Sequence, residues 1–219
     1  EALGPEIVGI TGAEVWDGGV IIKPKVLFLT VKAKPIDGNN RQAIMRDNIV
    51  PNTKRNGFIA GDVLREATAG NYCVVMTDRK VHAEILYELI SKGWEKTGIA
   101  TGNYTKKYVT EQAKLLNNKE ITVLVCTFAL LGEGFDVPFL NRAFVTMPFR
   151  AEGKVEQLVG RIQRNADGKE DSIVYDYVDV DIGVVQSQFY IKSGNDCRHR
   201  AYTRLGLEIE PYGNLEGEI

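Results

Sequence analysis

The chain has 219 residues, of which 44% are apolar and 26% charged, and its formal net charge is -2 at pH 7. That is enough sequence for one large domain with a real core. The near-neutral balance gives no global electrostatic reason to bind a polyanion, so any such binding would fall to a local basic patch. No run of about 18 apolar residues is present, which excludes a membrane-spanning helix, and no secretory leader opens the chain. It begins with Glu1 rather than methionine, which suggests a piece cut from a longer protein. Cys73 and Cys126 lie in apolar runs, Cys197 is alone, and His82 and His199 are the only histidines. With no CxxC, a zinc site is not expected, and the picture is of a reduced, cytosolic protein.

In chain order, residues 1–19 are irregular, broken by "GPEIVG" and "WDGG". "VIIKPKVLFLTV" reads as an extended, strand-rich stretch. "RQAIMRDNIV" and "NTKRNGFIAGDVLREATAG" read as helices, the second with Asn52 as N-cap and Gly70 closing its C-terminus. From Tyr72 the rhythm is regular. "YCVVMT" is a short buried strand, "RKVHAEILYELISKG" an amphipathic helix ending at Gly93, and "KTGIATG" a strand. "TKKYVTEQAKLLNN" is a helix, "ITVLVCT" and "NRAFVTM" are strands, and "DSIVYDYV" is a last strand after the helix discussed next. Residues 183–205 read as a helix packed outside the sheet, and 206–219 as a loose tail. Strands alternating with helices imply an α/β fold with a mainly parallel sheet covered on both faces.

"VEQLVGRIQR", from Val155 to Arg164, has two faces. Val155, Leu158, Val159 and Ile162 fall on one side of a helix, and Gln157, Gly160, Arg161 and Arg164 on the other. A glycine inside a helix costs about 1 kcal/mol against alanine, so close backbone approach at Gly160 would explain it. A solvated arginine face is the plainer alternative. In an open α/β sheet, ligands bind beyond the carboxyl ends of the strands. Three loops with unusual chemistry fall there: "TDRK" at 77–80, "TGNYTKK" at 101–107 and "TFALLGEGFDVP" at 127–138. In the third, Thr127 ends a strand, Gly132 and Gly134 permit close approach to a phosphate or a partner loop, and the Asp136 carboxylate suits ribose hydroxyls. Tyr104 offers a ring for base stacking. Lys106 and Lys107 read as solvated residues at a helix start.

"TFALLGEGFDVP" followed by "QLVGRIQR" resembles motifs V and VI of superfamily two DNA/RNA helicases, and "YCVVMTDRKVHAEIL" resembles motif IV ahead of them. The resemblance runs from about Pro24 to Val178 and is closest to the restriction-type and repair-type translocases, a branch of the DEAD/DEAH-like enzymes. "ALGP" near the start resembles the segment that links two motor lobes in that branch. The resemblance implies a RecA-like three-layer α/β/α sandwich, the second (C-terminal) lobe of a motor that closes two lobes over one ATP. It divides the chain into a linker at 1–23, the lobe at 24–182, and a C-terminal helix and tail at 183–219 packing on it. Neither G-x-x-x-x-G-K-[ST] nor a DExH-like run is present, and "DGKE" at 167–170 is a turn with a lysine, not a phosphate loop.

By that resemblance Arg161 and Arg164 are arginine fingers, which suits an always-charged guanidinium facing a transferring phosphoryl group. Gln157 would sense the γ-phosphate or the attacking water. Gly160 would keep the helix surface low, Asp136 would accept from the ribose, and Gly134 would lie at the nucleotide edge. Thr127, and with it Thr77 and Gly102, would touch the nucleic-acid backbone, contacts that position without reading sequence. ATP and Mg2+ would be held mainly by a first RecA-like lobe in the same protein. The nucleic acid would be DNA, with RNA the alternative. Alone, this chain is expected to fold but not to hydrolyse ATP. Two rivals stand beside this reading: a helicase-like lobe that only binds nucleic acid or protein, and an unrelated α/β enzyme such as a nucleotide-sugar transferase. The latter gives the paired arginines no role.

Overall fold

Short strands with no charged residue and burial at every position are covered on both faces, the signature of a parallel sheet sandwiched between helices. Cys73–Thr77 and Thr97–Ala100 are of this kind, buried throughout. The computed structural model describes residues 21–32, 40–129, 137–149, 152–180, 182 and 197–215. Its strands are β1 (Lys25–Lys32), β2 (Cys73–Thr77), β3 (Thr97–Ala100), β4 (Val123–Thr127), β5 (Arg142–Val145), β6 (Ile173–Val180) and β7 (Ile209–Leu215). They form one seven-stranded sheet in the order β3-β4-β2-β5-β6-β1-β7, with every ladder parallel. The helices are α1 (Arg41–Ile44), which continues into a π-helical turn at Met45–Ile49, then α2 (Thr53–Thr68), α3 (Lys80–Gly93), α4 (Lys106–Asn117), α5 (Glu152–Ile162) and α6 (Arg198–Arg204). This is the expected three-layer α/β/α sandwich.

Alternation along the strands divides the core. Cys73, Val75, Tyr175 and Tyr177 face a layer with Ile59 and Val63 of α2 and Leu86 and Ile90 of α3. Val74, Met76, Val174 and Val178 face the other, with Leu116 of α4, Val155, Leu158, Val159 and Ile162 of α5, and Tyr202 of α6. The Asn52 side chain caps α2 as read, by accepting from Arg55 N; Thr105, which the sequence reading did not single out, caps α4 by accepting from Tyr108 N. Gly70 follows α2 at φ 88°, the left-handed conformation that ends helices at glycine.

Two segments differ from expectation. Residues 209–215 are not a loose tail: they extend the sheet as β7, pairing with β1 from Val26↔Ile209 to Val31↔Leu215. "IEPYGNL" carries a proline and a glycine, which mask a strand signature, but an edge strand tolerates both, and the register shifts between Phe28 and Leu29 of β1. In the 183–205 stretch, helix is present over Arg198–Arg204, and residues 183–196 lie outside the described residues. Most of the proposed linker, 1–20, also lies outside them. Its last residues meet the domain through a bridge between Ile21 and Arg164.

β6 carries charge into the core on both faces. Asp176 is fully buried and accepts from Arg198 Nε (2.8 Å) and Nη2 (2.7 Å) and from the Tyr202 hydroxyl (3.0 Å). Asp179 accepts from Arg55 Nε (2.8 Å) and Nη2 (3.0 Å) on α2. A carboxylate taken out of water is tolerated only when paired and hydrogen-bonded. Arg198→Met should therefore destabilise the chain by about 3–5 kcal/mol, because it strands Asp176. Urea unfolding is the measurement, and adding Asp176→Leu to Arg198→Met should recover most of the loss.

Candidate functional site

β2, β3 and β4 end side by side, with Thr77 opposite Thr127 in the ladder. Thr127 is half-buried at the end of β4. Phe128 then folds inward against Phe149 (ring centroids 4.3 Å apart), with the Lys154 ammonium 5.4 Å from the Phe128 ring. Gly134 and Asp136 lie outside the described residues, as do their neighbours 130–135.

Thr77 does not offer a surface hydroxyl. It has no exposure, and Oγ1 lies 3.0 Å from His82 Nδ1 on α3 while accepting from Arg79 N (3.2 Å). His82 Nε2 lies 3.0 Å from Asn56 Oδ1, and Asn56 Nδ2 donates to Val50 O (2.8 Å). Asn56 Oδ1 can only accept, so Nε2 carries the proton and Nδ1 accepts from Thr77. The direct nucleic-acid contact expected of Thr77 is thus corrected to a buried chain that ties the β2 edge to α2 and the π-helical turn. His82 is neutral, its pKa held well below the ordinary histidine value by burial and by the nearby Arg55 guanidinium.

Gly102, by contrast, is exposed. A Cβ built on it would meet Lys80 Cε at 3.1 Å and Nζ at 3.2 Å, so the Lys80 side chain crosses the Gly102 backbone and joins two of the three loops. Sequence reasoning quoted Lys80 within "TDRK" but gave it no role. The same loop forms one wall of a cleft of about 500 Å³ whose lining includes Gln42, Arg46, Asp78, Arg79 and Lys80. Burial raises the Asp78 pKa, while Arg79, Arg41 and Lys154 pull it down. Tyr104 is not a free platform: its ring stacks on Tyr108 at 4.7 Å and its hydroxyl donates to Glu84 Oε2 at 3.0 Å.

α5 sets the arginine face. Its apolar side is sealed in the core, with Val155, Leu158 and Ile162 at 0% exposure, and this fixes its rotation. Gln157 is exposed, and Gly160 and Arg161 are half-buried on the outward side. Among the described residues no atom lies within 4 Å of a Cβ built on Gly160 beyond the helix's own backbone, so packing among them does not require the glycine. Arg161 also sits in the last turn, where a cation complements the helix dipole. The helix ends at Ile162, so Arg164 lies beyond it, in the bridge to Ile21, and not on its face as read from periodicity. The structure thus keeps Gln157, Gly160 and Arg161 on one helical face and sets Arg164 by the strand-like turn that follows. No cluster of three or more His, Cys, Asp or Glu residues that could hold a metal occurs among the described residues. No helix among them is long and apolar enough to cross a membrane.

A seven-stranded parallel α/β/α sandwich with its polar loops at the strand carboxyl ends is a RecA-like fold. Residues 58–166 match the model of the helicase conserved C-terminal domain, and the chain belongs to that family. It is 26% identical over 135 residues to the transcript termination protein A18 of Fowlpox virus (strain NVSL), covering 61% of this chain and 29% of that protein. It is 22% identical over 127 residues to the ATP-dependent DNA helicase uvsW of Enterobacteria phage T4, covering 58% of this chain and 25% of that protein. The crystal structure of T4 UvsW superposes with a TM-score of 0.68 at 16% identity, over 90% of this chain and 42% of that one. S. cerevisiae Dbp5 bound to RNA and ADP BeF3 gives 0.58 at 15% identity, over 94% of this chain and 44% of that one. The structural likenesses show the shared fold. The chain spans less than a third of the length of these two curated relatives.

The neutral, buried His82 makes stability pH-dependent. In the unfolded chain this histidine takes up a proton below about pH 6.5, while in the fold it resists protonation. Its contribution is therefore complete above that pH and is lost as pH falls below it, by up to about 1.4 kcal/mol per pH unit. Urea unfolding at about pH 7 and about pH 5.5 should show a smaller loss in His82→Gln than in wild type.

Proposed function

We propose that this chain is the second motor lobe of an ATP-dependent nucleic-acid translocase, supplying the arginines that face the γ-phosphate and part of the grip on the nucleic-acid backbone. The observation that carries this reading is α5, whose core-locked rotation presents Gln157, Gly160 and Arg161 outward and leaves open space, among the described residues, over a glycine that their packing does not require. An approaching first lobe accounts for that space. On this reading Arg161 and Arg164 stabilise charge on the transferred phosphoryl group. Gln157 positions the attacking water, and Gly134 and Asp136 meet the nucleotide. Thr127, Gly102 and Lys80 contact backbone phosphates. ATP and Mg2+ are bound mainly by the first lobe, so this chain alone is inactive in hydrolysis.

The match to a DNA helicase of phage T4 supports DNA as the substrate, while the likeness to an RNA-bound protein keeps RNA as the alternative; a repair-type or restriction-type role rests on the motif resemblance alone. Three buried, free cysteines fit a reducing, cytoplasmic setting. The same fold would also serve as a binding module without ATPase activity, and the experiment separates the two readings.

Arg161→Ala or Arg164→Ala in the full-length protein should each lower kcat for nucleic-acid-stimulated ATP hydrolysis by at least about 10²-fold. The melting temperature and the nucleic-acid affinity without nucleotide should be nearly unchanged. Arg161→Lys should fail similarly, because an ammonium cannot reproduce the planar fork. Gly160→Ala should stabilise this lobe by about 1 kcal/mol and yet slow turnover. Steady-state ATPase assays beside thermal melts check all four. Near-normal kcat in both arginine-to-alanine variants would leave a solvated helix face, and absence of nucleic-acid-stimulated hydrolysis in the wild-type full-length protein would favour the binding module.

A further inference from the structure

The C-terminus of α5 is closed in an unusual way. A helix ends with carbonyls that lack intrahelical donors, most often satisfied by a left-handed glycine and the main chain after it. Here the closing group is a side chain seven residues on. Lys169 Nζ donates to Ile162 O (2.5 Å), Arg164 O (2.7 Å) and Pro138 O (3.2 Å), so all three ammonium protons are used on backbone carbonyls. The Ser172 hydroxyl donates to Ile162 O as well (2.7 Å). Lys169 is 9% exposed, which is rare for a lysine and means that its side-chain entropy and hydration have been given up for these contacts.

The chain is shaped to bring it there. Lys169 N donates to Ala166 O (3.0 Å) across a turn in which Gly168 takes φ 78°, a conformation an L side chain resists. On the other side, Ile22 N donates to Gln163 O (2.7 Å), and Ile21 bridges Arg164. The main chain around Arg164 is therefore held from two directions. Through Pro138 the same ammonium also holds the end of the "TFALLGEGFDVP" loop.

We propose that Lys169 is a positioning residue for the arginine pair: its ammonium fixes the backbone at Ile162 and Arg164 and locks it to Pro138, so that Arg161 and Arg164 face the nucleotide in one register. This rests on the motor-lobe reading. Three fixed carbonyls and a buried positive charge at a helix C-terminus form a rigid joint, and catalytic groups displaced by about 1 Å lose on the order of 10²-fold in rate.

The test is steady-state ATPase of the full-length protein carrying Lys169→Met, with Arg161→Ala in parallel. Lys169→Met should lower kcat about 10-fold or more while KM for ATP and nucleic-acid affinity stay within about twofold, in protein that circular dichroism shows to be folded at the assay temperature. Unchanged kcat in Lys169→Met beside a large loss in Arg161→Ala would overturn the positioning role and leave the motor reading intact. Unchanged kcat in Arg161→Ala would overturn the arginine-finger role on which the positioning proposal rests. A raised KM with normal kcat would also overturn the proposal, since it marks lost binding and not lost orientation. If Lys169→Met does not fold, Lys169→Gln, which keeps amide donors, takes its place. It should show an intermediate kcat, and a wild-type value would refute the proposal.

Discussion

β6 sits near the middle of the sheet and buries two carboxylates, one on each face, and much of the domain is arranged to make that tolerable. Asp176 draws Arg198 and Tyr202 of α6 onto one face, and Asp179 draws Arg55 of α2 onto the other. Neither partner can leave without stranding a charge in the interior, so the positions of α2 and α6 relative to the sheet are set by electrostatics as well as by apolar packing. Arg198 reaches further, with its guanidinium 5.1 Å from the Phe149 ring and Nη1 donating to Phe149 O (3.3 Å). Phe149 lies between β5 and α5, so the buried pair on β6 also bears on where the arginine-bearing helix begins.

The candidate site depends on the sheet in the same indirect way. Few of its groups hold themselves in place. Thr77 is spent on a buried chain through His82 and Asn56, Lys80 is carried over the backbone of Gly102, and α5 is turned by four apolar side chains that never meet a ligand. The outward face of α5 is defined by what its inward face must bury. This explains how a helix can carry glycine and a cation on its outer side without losing its place.

Much of this was legible in the sequence wherever the signal is local and repetitive. Buried strands such as "CVVMT" and "VLVCT" announce themselves by four apolar residues in a row, and Asn52 marks a helix start because a side-chain acceptor before a run of free N–H groups has few other uses. The two faces of α5 followed from periodicity alone. What stayed hidden depends on distant partners. β7 owes its existence to the open edge of β1, and nothing in "IEPYGNL" reports that edge. Thr77 looked like a surface hydroxyl because its partner, His82, sits on the far side of a turn. Lys169 looked like an ordinary turn lysine, since its three acceptors are carbonyls, which every residue has. The end of α5 at Ile162 was missed because Arg164 continues the helical spacing while its backbone is recruited by Ile21.

The place of β1 bears on how the domain assembles. Val26 stands between Val174 and Ile209, so this early strand finds both neighbours only among residues made much later. Strands β2, β3 and β4, with α3 and α4 between them, pair among themselves over a short stretch of chain. During synthesis the 73–127 unit can gather its contacts first, while β1 waits as an apolar strand with two unpaired edges. Pairings this distant in sequence close slowly, since the loop entropy comes before the reward. β7, made after the other described strands, is thus the one that covers the outer edge of β1, and until it does the nascent domain exposes an apolar edge of the kind that chaperones shield.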